Sequence, residues 1–346
     1  MKLLIITQKV DENDDVLGFF HRWLLEFAKH CEHIIVICLW KGTYSLPENV
    51  KVFSLGKENG VSKFRQLLNF YKYVFAFRNQ YDSVYVHMNP VYICLAGPLW
   101  RWWRKKIGLS YIHKNVDLKL RIAEKFVSVI FSASASSFCL PTKKLRIIGH
   151  GIDMTQFICL DRYKEVPPVI VAVGRISPIK NLDIAIDVVT LLKNKGLQFK
   201  LKIIGSPATQ EDEGYLDGLE KKVKDLGLES HVCFVGSIPN RLISPEYCRA
   251  TVSINILPTG GIDKAVLESI AAGTPALSSN QGFKEYFGAY ENELIVQERD
   301  ANDLAEKLEY FLTKPLDKNM MDYLGKQVEE KASLKKLVQV ILGHLL

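Results

Sequence analysis

Two cations follow a short apolar run in the second half of the chain. The segment V-A-V-G-R-I-S-P-I-K-N-L-D (171–183) predicts a buried strand that ends at Gly174, then a turn, then a helix that begins near Asn181. Arg175 and Lys180 project from this turn. A guanidinium fork, an ammonium and the free N–H groups of a helix start are groups that bind a diphosphate. The segment therefore predicts a diphosphate site, with two solvated surface cations as the alternative.

A carboxylate lies on the amphipathic helix predicted within I-N-I-L-P-T-G-G-I-D-K-A-V-L-E-S-I-A-A-G-T-P-A-L (254–277). The glycines of the preceding turn allow backbone N–H groups to approach phosphate or sugar oxygens. Glu268 lies one turn beyond Asp263 and Lys264 on the same helix stripe, and apolar residues surround it. A buried carboxylate needs hydrogen-bond donors, and a vicinal diol such as a ribose supplies two. The alternative is a solvated glutamate on a helix surface.

Apolar, β-branched runs alternate with amphipathic stretches along the chain, which predicts βαβ units and parallel sheets. Strands are predicted at 3–7, 34–39, 50–54, 83–87, 108–113, 169–173, 200–204, 232–235, 252–256, 276–278 and 294–296. Helices are predicted in the second half at 181–195, 213–226, 262–272 and 301–313. The fold class is α/β, with two Rossmann-like, doubly wound parallel-sheet domains that face a central cleft. Ligands of such sheets bind beyond the carboxyl ends of the strands.

The polar stretch before Pro167 and Pro168 predicts a linker, so the domains are predicted at 1–160 and 161–330, followed by a C-terminal helix at 331–346. Net charge differs between the halves. Residues 1–150 contain 22 Lys and Arg against 11 Asp and Glu, whereas the remainder contains 23 against 27. The basic first half indicates an anionic partner for that domain.

The seven cysteines include no C-x-x-C pair and mostly lie in apolar runs. They predict buried, reduced thiols, with neither a zinc site nor a disulfide framework. The opening M-K-L-L-I-I-T is too short for a signal-peptide core, and no stretch is long and apolar enough to cross a bilayer. We therefore expect a cytoplasmic protein.

The two segments, in this order, resemble those of the retaining GT-B glycosyltransferases of family 4, also called glycosyltransferase group 1. The resemblance extends over nearly the whole chain and includes an x-x-G-I-D segment before the linker, G-R-x-x-x-x-K, an I-I-G turn at 203–205, V-x-F-x-G at 232–236 and E-x-A-A-G-T-P. It implies a hexosyltransferase-like enzyme that moves a sugar from a nucleotide-diphosphate donor, bound by the C-terminal domain, to an acceptor bound by the N-terminal domain. The last helix is then expected to pack back on the N-terminal domain.

The resemblance also implies roles for individual residues. Arg175 and Lys180 hold the donor diphosphate, and Glu268 binds the ribose. Gly18, Gly174 and Gly205 allow close approach to the donor, and the 260–264 turn (Gly260, Gly261, Ile262, Asp263 and Lys264) presents groups to phosphate and sugar. His113 faces the transferred sugar, so His113, Arg175, Lys180 and Glu268 are the expected catalytic residues. No metal and no cofactor are expected, because the cations and helix N-termini supply the positive charge.

One position departs from the family pattern. The family has two glutamates separated by seven residues, and counting back from Glu268 places the first at Gly260. Asp263 and Lys264 are candidates to contact the donor sugar instead. A catalytically silent GT-B protein that binds nucleotide or glycan as a partner subunit is the alternative function. A nucleotide-sugar epimerase on the same fold is a third, which the acid-poor first half argues against.

Two basic, aromatic stretches characterise the N-terminal half: P-L-W-R-W-W-R-K-K-I-G (98–108) and K-F-R-Q-L-L-N-F-Y-K-Y-V-F-A-F-R (63–78). Tryptophan beside lysine and arginine suits an anionic membrane surface, contacted here through Trp100–Lys106, and so a glycan or lipid-linked acceptor. An ordinary helix with a buried aromatic face is the alternative. Nucleic acid is not an expected partner, because no recognition motif accompanies the charge. These features predict polysaccharide or glycolipid biosynthesis at the inner face of the cytoplasmic membrane.

Overall fold

The structure is a computed structural model, and it describes residues 1–159 and 165–346. In these residues the strands are, in chain order, β1 (Lys2–Val10), β2 (His33–Lys41), β3 (Val50–Ser54), β4 (Ser83–His87), β5 (Lys106–Ser110), β6 (Val129–Ser132), β7 (Leu145–Ile147), β8 (Val169–Val173), β9 (Lys200–Ile204), β10 (Val232–Gly236), β11 (Val252–Asn255) and β12 (Ala276–Ser278).

Helices follow most of these strands. In chain order they are α1 (Phe19–Ala28), α2 (Lys63–Ala76), α3 (Pro90–Trp102), α4 (Leu118–Phe126), α5 (Leu182–Asn194), α6 (Gln210–Asp225), α7 (Ser244–Arg249), α8 (Lys264–Ala271), α9 (Lys284–Phe287), α10 (Glu291–Leu294), α11 (Ala301–Thr313), α12 (Lys318–Ala332) and α13 (Leu334–Leu345). None of the helices formed by the described residues is long and apolar enough to cross a membrane.

The described residues form two compact units. Unit 1 contains residues 1–153, 239–241 and 332–346, and unit 2 contains residues 154–238 and 242–331. Each unit has one parallel sheet, so the predicted pair of doubly wound α/β domains is confirmed. The predicted boundary at 160/161 lies outside the described residues.

The sheet of unit 1 has seven strands among the described residues, in the order β3-β2-β1-β4-β5-β6-β7. Side chains of β1 alternate between two apolar clusters: Leu3 and Ile5 face the cluster built with α1 and α13, whereas Leu4 and Ile6 face the cluster built with α2, α3 and α4. Because both faces are covered by helices, the strand reads as one continuous apolar run.

The last helix, α13, is part of unit 1. Its buried side chains recur at helical spacing (Leu334, Leu337, Val338, Ile341, Leu342 and Leu345) and pack in the same cluster as α1. The Ser83 hydroxyl donates a hydrogen bond to the carbonyl oxygen of Leu345 over 2.6 Å, which fixes the helix end to the start of β4.

The sheet of unit 2 has, in the same described residues, five strands in the order β10-β9-β8-β11-β12. The chain moves outward from β8 through β9 to β10, then returns to the other side of β8 as β11. The carboxyl ends of β8 and β11 therefore form the topological switch point, where open α/β sheets bind ligands.

Three predictions about the elements were wrong. Residues 294–296 do not form a strand: α10 ends at Leu294, and Ile295 makes an isolated bridge to Ser278. The strand predicted at 108–113 runs from Lys106 to Ser110 instead. The cysteines are not all reduced thiols, because Cys159 and Cys248 form a disulfide within unit 2. Among the other cysteines, Cys139 and Cys233 are exposed rather than buried.

Candidate functional site

Two glycine turns meet at the carboxyl ends of β8 and β9. The Gly174 N–H donates to the carbonyl oxygen of Ile204 over 2.9 Å, and the Ile176 N–H donates to that of Ser206 over 3.1 Å. Gly205 has φ +147°, and a Cβ there would lie 2.0 Å from the carbonyl oxygen of Gly174. Only glycine permits this approach, so the two turns bring bare backbone together beside the switch point.

Lys180 and Asp263 form an ion pair at this point. Lys180 follows β8, and its Nζ lies 2.6 Å from Oδ2 of Asp263, the residue before α8. The same Oδ2 accepts a hydrogen bond from Nδ2 of Asn255, at the end of β11, over 3.0 Å. Oδ1 accepts the N–H of Ala265 and so caps the helix. Both carboxylate oxygens of Asp263 are therefore bound within the protein.

The charge of Asp263 is fixed by these contacts. Burial alone would raise its pKa, but the Lys180 ammonium and the hydrogen bonds from Lys180, Ala265 and Asn255 outweigh it and lower the pKa to about 2. Asp263 is a carboxylate at any physiological pH, and it holds the Lys180 ammonium in one place.

Glu268 lies one turn further along α8 and is buried, with 7% of its surface exposed. Its Oε2 accepts a hydrogen bond from the Tyr247 hydroxyl over 3.4 Å. Tyr247 is fully buried; that burial, with the nearby charges of Glu268 and Asp263, raises its pKa well above 10, so it stays a neutral donor. The expectation that Glu268 is buried beside a donor is met, and Tyr247 is the partner that the sequence did not indicate.

Lys264, the first residue of α8, lies between the two carboxylates in sequence. Burial lowers the pKa of its ammonium to about 7, although the charges of Glu268 and Asp263 oppose this. Its charge therefore changes within the physiological range, unlike that of an exposed lysine.

The turn from 257 to 263 is held by the residues that follow β12. Asn280 is fully buried; its Oδ1 accepts the N–H of Gly260 over 3.3 Å, and its Nδ2 donates to the carbonyl oxygen of Gly261 over 2.8 Å. The Ser279 hydroxyl donates to the carbonyl oxygen of Leu257 over 2.8 Å. Ser279 and Asn280 were not predicted as site residues; the available signal was this polar pair directly after the predicted strand 276–278.

Asn181 was also missed as a site residue. It is buried in the left-handed conformation (φ +50°), and its Nδ2 donates to the carbonyl oxygen of Ile256 over 2.8 Å. Nη1 of Arg299 donates to Oδ1 of Asn181 over 2.8 Å. Asn181 therefore ties the start of α5 to the end of β11.

Arg175 is the less constrained cation of the predicted diphosphate pair. More than half of its side chain is exposed, and its Nε lies 3.9 Å from Oδ2 of Asp212, in the first turn of α6. At this distance the pair is weak, so the guanidinium has donors available for a ligand.

The structure brings together in unit 2 the predicted residues Gly174, Arg175, Lys180, Gly205, 260–264 and Glu268. His113 and Gly18 lie in unit 1, and their roles stay predictions. His113 is exposed beyond the end of β5. Gly18 precedes α1, where a Cβ would lie 2.2 Å from the carbonyl oxygen of Asp14.

The tryptophans of the predicted Trp100–Lys106 surface do not lie on one face. Trp100 is fully buried and donates from Nε1 to the Tyr81 hydroxyl over 3.1 Å. Trp103 packs edge-on against Phe75, with ring centroids 5.4 Å apart. Trp102 is 77% exposed. Trp100 is therefore a core residue and not part of a surface, and the membrane contact of its neighbours stays a prediction.

Within the part of the chain that the structure describes, no group of three or more His, Cys, Asp or Glu side chains could hold a metal ion. The arrangement in unit 2 consists instead of two cations, glycine-rich backbone and a buried carboxylate. Such a set can bind a phosphate ester and a diol.

Comparison with known proteins shows which family this region resembles. Residues 162–331 match the family model of the glycosyl transferases group 1. The putative colanic acid biosynthesis glycosyltransferase WcaL of Escherichia coli K12 is 26% identical over 242 residues, which cover 68% of this chain and 56% of that protein. The human GDP-Man:Man(3)GlcNAc(2)-PP-Dol alpha-1,2-mannosyltransferase is 30% identical over 118 residues, which cover 33% of this chain and 24% of that protein.

A solved structure extends the similarity to the whole fold. The crystal structure of Anabaena Alr3699/HepE in complex with UDP and glucose has a TM-score of 0.76 at 16% identity and covers 100% of this chain and 99% of that one. Residues 162–331 therefore belong to the group 1 glycosyl transferases, and the chain has the GT-B fold. The match covers about half the length of the first curated relatives.

Proposed function

We propose that the protein is a retaining glycosyltransferase that uses a nucleotide-diphosphate sugar without a metal ion. The observation that carries the proposal is the cluster at the switch point of unit 2. There the Lys180 ammonium, the glycine turn at Gly205 and the buried Glu268 lie within the region that matches the group 1 glycosyl transferases. WcaL and its relatives, which are named glycosyltransferases, support the same reaction class.

In the proposed reaction, the cations neutralise the leaving nucleotide diphosphate. The Lys180 ammonium has three donors, of which Asp263 takes one, so the others can reach phosphate oxygens. Arg175 supplies the second cation, and Glu268 accepts hydrogen bonds from the ribose hydroxyls. The acceptor hydroxyl forms a bond to the anomeric carbon as the bond to the diphosphate breaks. A diphosphate oxygen takes the proton on the same face of the sugar, which gives retention.

Donor-sugar contacts need a different source from the family's first glutamate. Gly260 has no side chain there, and both oxygens of Asp263 are bound by Lys180, Asn255 and Ala265. We infer that the backbone of residues 260–262, fixed by Asn280, and the Lys264 amine make these contacts. Asp263 then acts by positioning Lys180.

The nucleotide can be tested directly. We expect one class of nucleotide-diphosphate sugar to raise the Tm of the purified protein, because a ligand that binds only the folded state stabilises it. Arg175→Ala and Glu268→Ala should abolish this rise, whereas Lys200→Ala should retain it, because Lys200 is an exposed cation at the amino end of β9, away from the carboxyl ends of the strands. No rise with any nucleotide sugar would contradict the proposal.

The catalytically silent alternative is favoured by one observation, the glycine at position 260. Both functions predict nucleotide binding, so turnover distinguishes them. An active enzyme releases free nucleotide from the stabilising donor, slowly with water and faster with an acceptor, and Glu268→Ala stops the release. Binding without release, with every glycan and lipid-linked acceptor tried, would favour the silent protein.

We also propose that the acceptor is a glycan or a lipid-linked molecule. Unit 1 would then contact the cytoplasmic face of an anionic membrane. The contact is the α2–α3 surface, which we define by the exposed apolar residues Phe64, Leu68, Phe75 and Trp102. Phe64, Leu68 and Phe75 lie on one side of α2 at helical spacing. Exposed cations flank them: Lys63, Arg65, Lys72, Arg101 and Arg104. Apolar side chains with flanking cations suit an anionic lipid surface.

Flotation with liposomes tests this surface. We expect the protein to float with vesicles that contain anionic phospholipid at low salt, and less with purely zwitterionic vesicles. The double variant Phe64→Ser, Leu68→Ser should lose flotation, whereas Leu226→Ser, at an exposed position of unit 2, should keep it. Equal flotation of both variants would exclude the α2–α3 surface.

A further inference from the structure

A pocket of about 350 Å³ opens in unit 1, at the carboxyl ends of β1 and β2. Its walls come from the strand ends Lys9 and Trp40, which pair across the sheet, and from the loop 14–17 that leads into α1. Lys57, just after β3, completes the rim. The volume lies within the range of small-molecule sites, about 300–1,000 Å³.

One wall of the pocket is apolar although it faces solvent. The Trp40 ring is 37% exposed and Val16 is 68% exposed, with Leu39 and Leu17 beside them. Exposed large apolar side chains that line one concave surface mark a binding site more often than isolated ones do. A flat ligand can therefore stack on the Trp40 ring.

Lys9, beside the Trp40 ring, and Lys57 supply hydrogen-bond donors. Lys9 Nζ lies 2.5 Å from Oδ2 of Asp14, 3.5 Å from Oδ2 of Asp11 and 5.3 Å from the centre of the Trp40 ring. Burial would lower the pKa of Lys9, but Asp14 and Asp11 outweigh it and raise the pKa, so the ammonium keeps its charge. Lys57 is exposed at the rim.

The loop wall is held rigidly by Asp14. Its Oδ1 accepts the N–H groups of Val16 and Leu17 over 2.9 and 2.6 Å, while Oδ2 binds Lys9. Asp14 is therefore occupied within the protein and acts as a brace. The groups left for a ligand are the apolar wall, the Lys9 and Lys57 ammoniums and the exposed Gln8 amide.

We propose that this pocket binds one pyranose ring of the acceptor glycan, with the C–H face of the ring stacked on Trp40 and its hydroxyls bound by Lys9, Lys57 and Gln8. A pyranose has this combination: an apolar face, and a rim of oxygens that accept hydrogen bonds. A lipid chain would make no use of the Lys57 ammonium and the Gln8 amide at the rim. That the bound sugar belongs to an acceptor rests on the proposed function, but sugar binding at this pocket can be tested without catalysis.

Saturation-transfer NMR on the full-length protein tests the site, with the methyl pyranosides of glucose, galactose, mannose and N-acetylglucosamine as probes. We expect at least one probe to receive saturation on the ring protons of one face. Trp40→Ala should abolish that transfer, or weaken binding at least tenfold, and Trp40→Phe should retain part of it. Trp102→Ala removes another exposed tryptophan and should change nothing.

The outcomes separate the two proposals. If nucleotide sugars raise the Tm of Trp40→Ala as they do that of the parent protein, the variant is folded and the donor site is intact. No transfer to any pyranoside in the parent protein, or transfer that survives in Trp40→Ala, overturns the sugar pocket and leaves the glycosyltransferase proposal standing. Transfer that depends on Trp40, without any Tm rise by nucleotide sugars, supports the pocket and contradicts the donor site. Uridine and guanosine are run as further probes. If saturation reaches one of these nucleosides and none of the pyranosides, the pocket binds a nucleobase and the proposal is overturned.

Discussion

Asparagine at position 263 should cost the protein about 2 kcal/mol of unfolding free energy at neutral pH. The fall of the Asp263 pKa from 3.8 to about 2 corresponds to about 2 kcal/mol of stabilisation. Because the pKa is lower in the folded state, this stabilisation is fully present above about pH 4 and is lost as the pH falls toward 2. Asparagine still caps a helix well, so Asp263→Asn removes the charge and keeps most of the cap.

Asp300→Asn is the matched control. Asp300 caps α11 in the same unit by accepting the N–H groups of Asn302 and Asp303, and no ion pair of Asp300 occurs among the described residues. Its replacement should change stability by less than about 0.5 kcal/mol. Urea unfolding at pH 7, followed by far-ultraviolet circular dichroism, measures both. Equal losses in the two variants would refute the ion-pair reasoning, because the cap is then the whole effect.

The remaining predictions address backbone, disulfide and pH. Gly205→Ala should lower the unfolding free energy by more than about 3 kcal/mol, the upper end of ordinary backbone strain, because the new Cβ meets a carbonyl oxygen. Gly214→Ala, in open space on α6, should raise the unfolding free energy by up to about 1 kcal/mol. Urea unfolding compares the two variants. Non-reducing peptide mapping should find Cys159 joined to Cys248. Because the disulfide closes a loop of 89 residues, Cys159→Ser should lower the unfolding free energy by about 4 kcal/mol. The difference between the variant and the parent protein should vanish in reductant. Nucleotide-diphosphate affinity, measured by calorimetry, should fall as the pH rises through about 7, where Lys264 loses its charge, and the fall should be absent in Lys264→Arg.

The central parallel strands could be predicted because they are buried on both faces. A run such as Leu3–Ile6 or Val169–Ala172 has no polar position that would obscure it. Strand β6 was missed because serines flank its apolar residues, and Ser132 is buried at its end. Strand β7 was missed because it has only three residues, of which Arg146 is charged. Local pattern therefore identifies a strand with a continuous apolar run better than one that is short or interrupted by polar residues.

The contacts that complete the site could not be predicted because they join distant segments. Asn280 binds a turn 19 residues earlier, and Lys180 binds Asp263 across 83 residues. Each such residue has an ordinary local explanation: an asparagine after a strand predicts a turn, and an aspartate before a helix predicts a cap. Asp263 satisfies the local explanation and makes the distant contact too, which is why its sequence position alone could not assign it.

This double use of Asp263 changes the balance of charge at the proposed diphosphate site. Lys180 shares its ammonium with a carboxylate that stays ionised, so a diphosphate gains less from Lys180 than from a cation without such a partner. Arg175 has only a weak contact at 3.9 Å and five donors in a planar fork. Of the two cations in the G-R-x-x-x-x-K pattern, Arg175 therefore contributes more to diphosphate binding than Lys180 does. The Arg175→Ala variant should accordingly lose more nucleotide affinity, measured by calorimetry, than Lys180→Ala.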